Sequence, residues 1–112
     1  MPFDEEAAER VRHALEPRGA FVEKKMFGGM GFLLGGNMCC GVWKEFLILR
    51  VGPDAYDAAL EQPAVREFDI TGRAMKGWVM VEPPGYENAA ELRRWLRAAA
   101  EFVATLPIKG GR

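Results

Sequence analysis

Few side chains in this 112-residue chain are of types that do covalent chemistry. It contains no serine, its two cysteines are the adjacent Cys39 and Cys40, and His13 is its single histidine. A cysteine nucleophile would need His13 as its base, but His13 falls in a helical pattern and the thiols in a strand pattern. Neighbouring strand residues point to opposite faces, so Cys39 and Cys40 are not expected to act as a vicinal redox pair. Packing of two small apolar side chains is preferred over reactive thiols at these positions. Without C-x-x-C spacing, and with one histidine to add, no metal site is expected; no catalytic residue or cofactor is assigned either. The expectation is a protein that is not an enzyme.

Two further patterns bear on binding. Gly28-Gly29-Met30-Gly31 has the look of a phosphate loop, but a strand pattern follows it in place of a helix with a Lys-Ser/Thr pair. A bend where a strand begins accounts for it. The basic clusters Lys24-Lys25 and Arg93-Arg94-Arg97 are candidates for nucleic-acid or partner contact, against the plainer reading of solvated faces. A nucleic-acid function would require all five on one continuous surface. Trp43, Trp78 and Trp95 fall in apolar patterns and read as core, with Trp78 nearest a rim. Met26, Met30, Met38, Met75 and Met80 read as gap fillers.

The elements that must position these residues follow from periodicity. Residues 4–16 place Ala7, Ala8, Val11, Ala14 and Leu15 on one helical face, with Asp4 as cap and Pro17 and Gly19 as stop. Residues 21–27 read as a one-sided or edge strand, and 30–34 and 38–43 as a hairpin turned by Gly35-Gly36-Asn37. On the second of these, Met38, Cys40 and Val42 are expected on one face and Cys39, Gly41 and Trp43 on the other. Lys44-Glu45 then reverses the chain into 46–51, although it lacks the glycine or asparagine that such a turn prefers.

The strand 46–51 is apolar on both faces, which implies cover on both sides: helices on one and a partner subunit on the other. Asp54 is expected to cap a short helix to about Glu61, with Tyr56, Ala59 and Leu60 inward. A weak strand at 66–70, a loop at 71–73 and a stronger strand at 76–81 come next. Asn88, three residues before Glu91, announces a capping box, and Leu92, Trp95, Leu96, Ala99, Phe102, Val103 and Leu106 make a helical stripe that Pro107 ends.

One domain over residues 1–112 is the default for this length. Apolar residues at 49%, charged residues at 28% and a net charge of −1 suggest neither disorder, nor a membrane protein, nor a global pull to nucleic acid. Acidic Asp4, Glu5 and Glu6 stand where a signal peptide needs positive charge, and two adjacent thiols suit a reducing compartment. A cytoplasmic protein is expected.

Taken in order, residues 24–29 (KKMFGG), 36–42 (GNMCCGV), 50–53 (RVGP) and 71–79 (TGRAMKGWV), with the closing helix at 92–106, resemble the TfoX N-terminal domain family, the TfoX/Sxy-like proteins of bacteria. The resemblance covers nearly the whole chain. It implies an α+β fold, a two-layer α/β domain with helices on a mainly antiparallel sheet in the manner of secretion-chaperone-like folds, in agreement with the residue patterns. For function it implies a regulatory or adaptor protein acting through protein contacts. The expected setting is transcriptional regulation related to competence, with a transcription-factor partner; the namesake regulators act alongside the cyclic-AMP receptor protein. The namesake regulators carry a further C-terminal domain, so a single-domain member lacking it is expected here. The family brings no established catalytic residues. A homodimer is expected from the two-sided strand. The alternative function is a direct nucleic-acid-binding accessory factor, and the third is an enzyme using Cys39 or Cys40.

Overall fold

Asp4 turns the chain into its first helix. Its side chain accepts hydrogen bonds from the backbone N–H groups of Glu6 (3.0 Å) and Ala7 (3.1 Å), two of the donors that a helix start leaves unpaired. This helix, α1 (Glu5–Leu15), buries Ala7, Ala8, Val11 and Leu15, the face that its apolar spacing predicts. The computed structural model describes residues 3–19, 21–26, 28–70 and 72–108. Along them follow β1 (Val22–Met26), β2 (Gly29–Leu34), β3 (Asn37–Trp43), β4 (Phe46–Arg50), α2 (Pro53–Leu60), β5 (Val65–Glu67), β6 (Trp78–Val81) and α3 (Ala89–Val103).

The strands form one antiparallel sheet in the order β1-β2-β3-β4-β6-β5. The expected α+β architecture is therefore what the chain adopts. Gly35 and Gly36, both at positive φ, make the tight β2–β3 turn. At the β3–β4 turn the positive φ falls on Lys44, whose carbonyl accepts a 2.8 Å hydrogen bond from the Asp4 N–H while Phe3 bridges to it. A contact from the N-terminus thus holds a turn whose sequence lacks glycine. At the same turn the Tyr86 hydroxyl donates to the Glu45 carbonyl at 2.6 Å, and burial pushes its pKa up.

One face of the sheet packs against the helices. Phe32, Val42, Leu47, Leu49, Val79 and Val81 meet the buried stripe of α3, Leu92, Trp95, Leu96, Ala99 and Val103, together with the inner residues of α1 and α2. Each such large side chain removed from water contributes roughly 1.5–3 kcal/mol. Asn88 caps α3 by accepting from the N–H groups of Ala90 and Glu91. The capping box closes on one side only, because the Glu91 carboxylate turns to Arg94. The helix itself ends at Val103, and Leu106 reaches the core from a following turn.

Several expectations are corrected here. Asp54 is not the cap of α2: Gly52 is, with Pro53 as first residue, and Asp54 lies in the first turn, where a carboxylate favours the helix dipole. β5 stops at Glu67 and β6 starts at Trp78, because the segment between them leaves the sheet edge and folds back. That segment also answers how the second face is covered. Ile48 and Met80, on the face away from the helices, are buried under Phe68 and Ile70 of the same chain. The two-sided strand therefore needs no second subunit over these residues. Met75, at 38% exposure, fills no core gap, while Met26 and Met38 lie half-buried on the same helix-free face.

Candidate functional site

The thiols are placed by an irregularity in the sheet. Phe32 pairs with Cys40 but Leu33 pairs with Met38, so Cys39 is an extra residue on β3, a β-bulge. The bulge breaks the alternation on which the opposite-face expectation rested. Cys39 joins Cys40 in the helix-side core, both fully buried, and Met38 moves to the other face. Donation to Cys39, and then burial, push the Cys40 thiol up; the same hydrogen bond draws Cys39 down. His13 lies exposed on α1, 3.7 Å from the Glu9 carboxylate, and does not meet the thiols. Among the described residues no group of three or more His, Cys, Asp or Glu is arranged to hold a metal.

The Gly28-Gly29 bend is a turn into β2, with Gly28 at φ +77°. Gly29 has no room for a side chain, since a Cβ there would stand 2.4 Å from the Val42 carbonyl oxygen. Close strand approach explains this glycine without a phosphate. A cavity of about 440 Å³ lies between this bend and α1, with Lys25 and Arg12 facing Glu5 and Glu9. Arg12 is already engaged by Glu9 and Glu23, and its hydrogen bonds to Glu23 hold that carboxyl below the usual range.

The five basic candidates do not share a surface. Lys24 lies opposite Gly31, in the row that continues through Gly41 and Ile48, and so stands on the helix-free face. Lys25, opposite Met30, stands on the helix side. Arg93, Arg94 and Arg97 are exposed on α3. Arg94 is bound to Glu91 and to the Gln62 side-chain oxygen and lies over the Trp95 ring. Arg93 instead rims a groove of about 410 Å³ between α1 and α3, floored by Ala14, Pro17 and Leu92.

A second set of residues has no counterpart in the sequence patterns. On the helix-free face the Lys44 amine lies 4.7 Å from the Trp43 ring centre and the Arg66 guanidinium 5.7 Å from Phe46, while at the end of β4 the Arg50 guanidinium lies 5.3 Å from Trp78 and 5.9 Å from Phe102 of α3. Trp43 and Phe46 are stacked at 6.0 Å, and Phe68 is tilted 5.7 Å from Trp78. Two of the three cation–aromatic pairs join residues 20 or more positions apart, which only the β4–β6–β5 pairing brings together.

The motifs that carried the resemblance now have structural places: the β1–β2 bend, the bulged β3, the β4–α2 junction and the approach to β6. The sequence profile of the TfoX N-terminal domain matches residues 13–103. The chain belongs to the TfoX N-terminal domain family. Comparison with curated proteins and with solved structures gives no match. In this TfoX N-terminal domain, Gly52 and Gly77 of the motifs lie backbone against backbone, the Gly77 carbonyl accepting from the N–H groups of Val51 (2.9 Å) and Gly52 (3.0 Å). Among the described residues no helix is long and apolar enough to cross a membrane.

Proposed function

We propose that this TfoX-like protein is a cytoplasmic, non-enzymatic regulatory adaptor that works through protein contacts, in transcriptional regulation of the competence-related kind. The observation that carries this reading is the groove between α1 and α3. Its floor is apolar, its rim presents Arg93, and Arg97 follows one helical turn on. Both arginines are exposed on α3. An apolar anchor flanked by carboxylates on a protein partner, such as a transcription factor, matches that chemistry. Affinity purification from the native cell should recover a transcription factor with the wild-type chain, and at least about tenfold less of it with Arg93→Glu/Arg97→Glu. Equal recovery by both proteins would remove the groove from the reading; recovery of no transcription factor would remove the regulatory role.

A homodimer belongs to the same proposal. β1 is a five-residue edge strand with β2 on one side only, and pairing with the same edge of a second copy would complete it. Light scattering should then give twice the chain mass of 12.5 kDa. A monomer mass at micromolar concentration would eliminate the dimer.

A further inference from the structure

We propose that the helix-free face of the sheet binds single-stranded nucleic acid, with bases stacked on Trp43, Phe46 and Trp78 and phosphates met by Lys24, Lys44, Arg50 and Arg66. This goes beyond the adaptor reading and uses the opposite side of the molecule from the α1–α3 groove. Cross-strand pairing puts these residues on one face: Trp43 opposite Phe46, Arg50 opposite Trp78, Arg66 opposite Met80, and Lys24 in the row of Gly31, Gly41 and Ile48. Trp43, Phe46 and Trp78 are half-buried beside the Ile48–Met80 cluster, Trp43 and Phe46 stacked on each other and Trp78 tilted against Phe68. Each has a cation over it.

That combination is what an unpaired strand requires. Bases need flat apolar surfaces that any base can stack on, and the backbone needs cations beside those surfaces. Along β4 the Trp43–Phe46 pair and Trp78, which lies opposite Arg50, stand about 13 Å apart at the rise of a strand, one on each side of the Phe68 and Ile70 cover over Ile48, so each can take a base of its own. Between Lys24 and Ile48 the Gly31 and Gly41 backbones lie buried beneath the Met26 and Met38 side chains, which gives this part of the face an apolar cover.

Charge distribution favours this occupant over a second copy of the chain. Although the net charge is −1, the acidic groups concentrate in the helix layer. Asp4, Glu5, Glu6 and Glu9 lie on or cap α1, and α2 carries Asp54 and Asp57 with no basic residue. On the opposite side Glu82 stands 3.5 Å from Arg66, Asp69 lies exposed between Phe68 and Ile70, and Glu45 follows Lys44, against the cations Lys24, Lys44, Arg50 and Arg66. Two copies meeting through this face would oppose like charges, and Ile48 and Met80 are already covered by Phe68 and Ile70. An extended polyanion with exposed rings suits the face better than either a copy of itself or a rigid duplex, whose bases are stacked already.

The test uses the full chain and fluorescein-labelled oligodeoxythymidylate of about 20 nucleotides, read by anisotropy. At about 50 mM salt the dissociation constant should be on the order of 10⁻⁶ to 10⁻⁵ M, and log K should fall with log salt at a slope of about −2 to −3, as expected for three or four phosphates. A duplex of the same length should bind at least about tenfold more weakly, because its bases cannot reach the rings. Lys44→Glu/Arg66→Glu, both on exposed side chains, should weaken binding at least about tenfold while the circular dichroism stays that of the folded chain, whereas Arg93→Glu/Arg97→Glu should leave binding unaffected. Absence of binding at low salt, equal binding of the duplex, or an unaltered constant in the Lys44/Arg66 variant would overturn the proposal. Equal competition by polyglutamate would overturn it in favour of an acidic protein surface. Because the Arg93/Arg97 variant tests only the groove, failure of one reading is separable from failure of the other.

Discussion

Replacement of Gly52 by alanine is expected to destabilise the fold by about 3–5 kcal/mol, because two independent costs fall on one residue. Gly52 holds φ 89° and ψ 161°, a region essentially closed to residues with a Cβ. A Cβ there would also stand 2.5 Å from Phe102 Cδ1 and 2.6 Å from Cε1, well inside contact distance. Nor is the backbone free to escape, since the N–H groups of Val51 and Gly52 both donate to the Gly77 carbonyl and Pro53 starts α2 immediately afterwards. Urea denaturation would measure the loss as a lowered midpoint with an unchanged slope. The two costs separate in a double-mutant cycle. Phe102→Ala removes the ring but not the backbone strain, so the pair should show a coupling of about 1–2 kcal/mol while Gly52→Ala remains costly in the Phe102→Ala background. A loss below about 1 kcal/mol for Gly52→Ala alone would mean that the junction can relax.

Gly52 also shows where the sequence was and was not legible. A glycine followed by proline announces a break before a helix, and the break is there. What the letters do not carry is that the glycine itself is the cap. That depends on the backbone conformation at Gly52 and on Phe102, 50 positions away, which leaves a Cβ no room there, whereas a local reading favours Asp54. Local signals read correctly at α1 and α3, whose caps and apolar stripes lie within a few turns of one another. The bulge at Cys39 had no local signal, because a bulge is a relation between two strands and only the pairing of β2 with β3 creates it. The cover of the second face was missed for the same reason. Phe68 and Ile70 alternate as a strand would, yet they fold over Ile48 and Met80.

The candidate surfaces divide along the same line. That Lys24 and Lys25 cannot share a face follows from strand alternation alone, so the weakness of a single five-residue basic surface was already implicit in their adjacency. The cation–aromatic pairs were not, because Arg50 meets Trp78, and Arg66 meets Phe46, through sheet neighbours that are distant in the chain. Binding chemistry assembled across strands leaves no spacing to read. Chemistry confined to one helix, as with Arg93 and Arg97, does.

Phe32→Ala should cost about 3–5 kcal/mol, comparable to the Gly52 substitution but through a cavity in place of strain. Phe32 is fully buried, the largest such side chain among the described residues, and lies opposite Cys40 at the edge of the bulge with the Phe21 ring 5.8 Å away. Its neighbours come from paired strands and cannot collapse into the space without breaking the register that the bulge sets. For a domain with a stability of about 5–15 kcal/mol, such a loss would leave little margin at 37 °C. Phe46→Ala provides the comparison. That ring is half-buried on the helix-free face, stacked on Trp43 with the Arg66 guanidinium 5.7 Å from its centre, so its removal should cost only about 1–2 kcal/mol. Urea midpoints of the two variants would decide whether the fold is held from the helix side, as the burial pattern requires. If Phe46→Ala proved as costly as Phe32→Ala, the helix-free face would be a second core, and its aromatic residues could not be spared for any ligand.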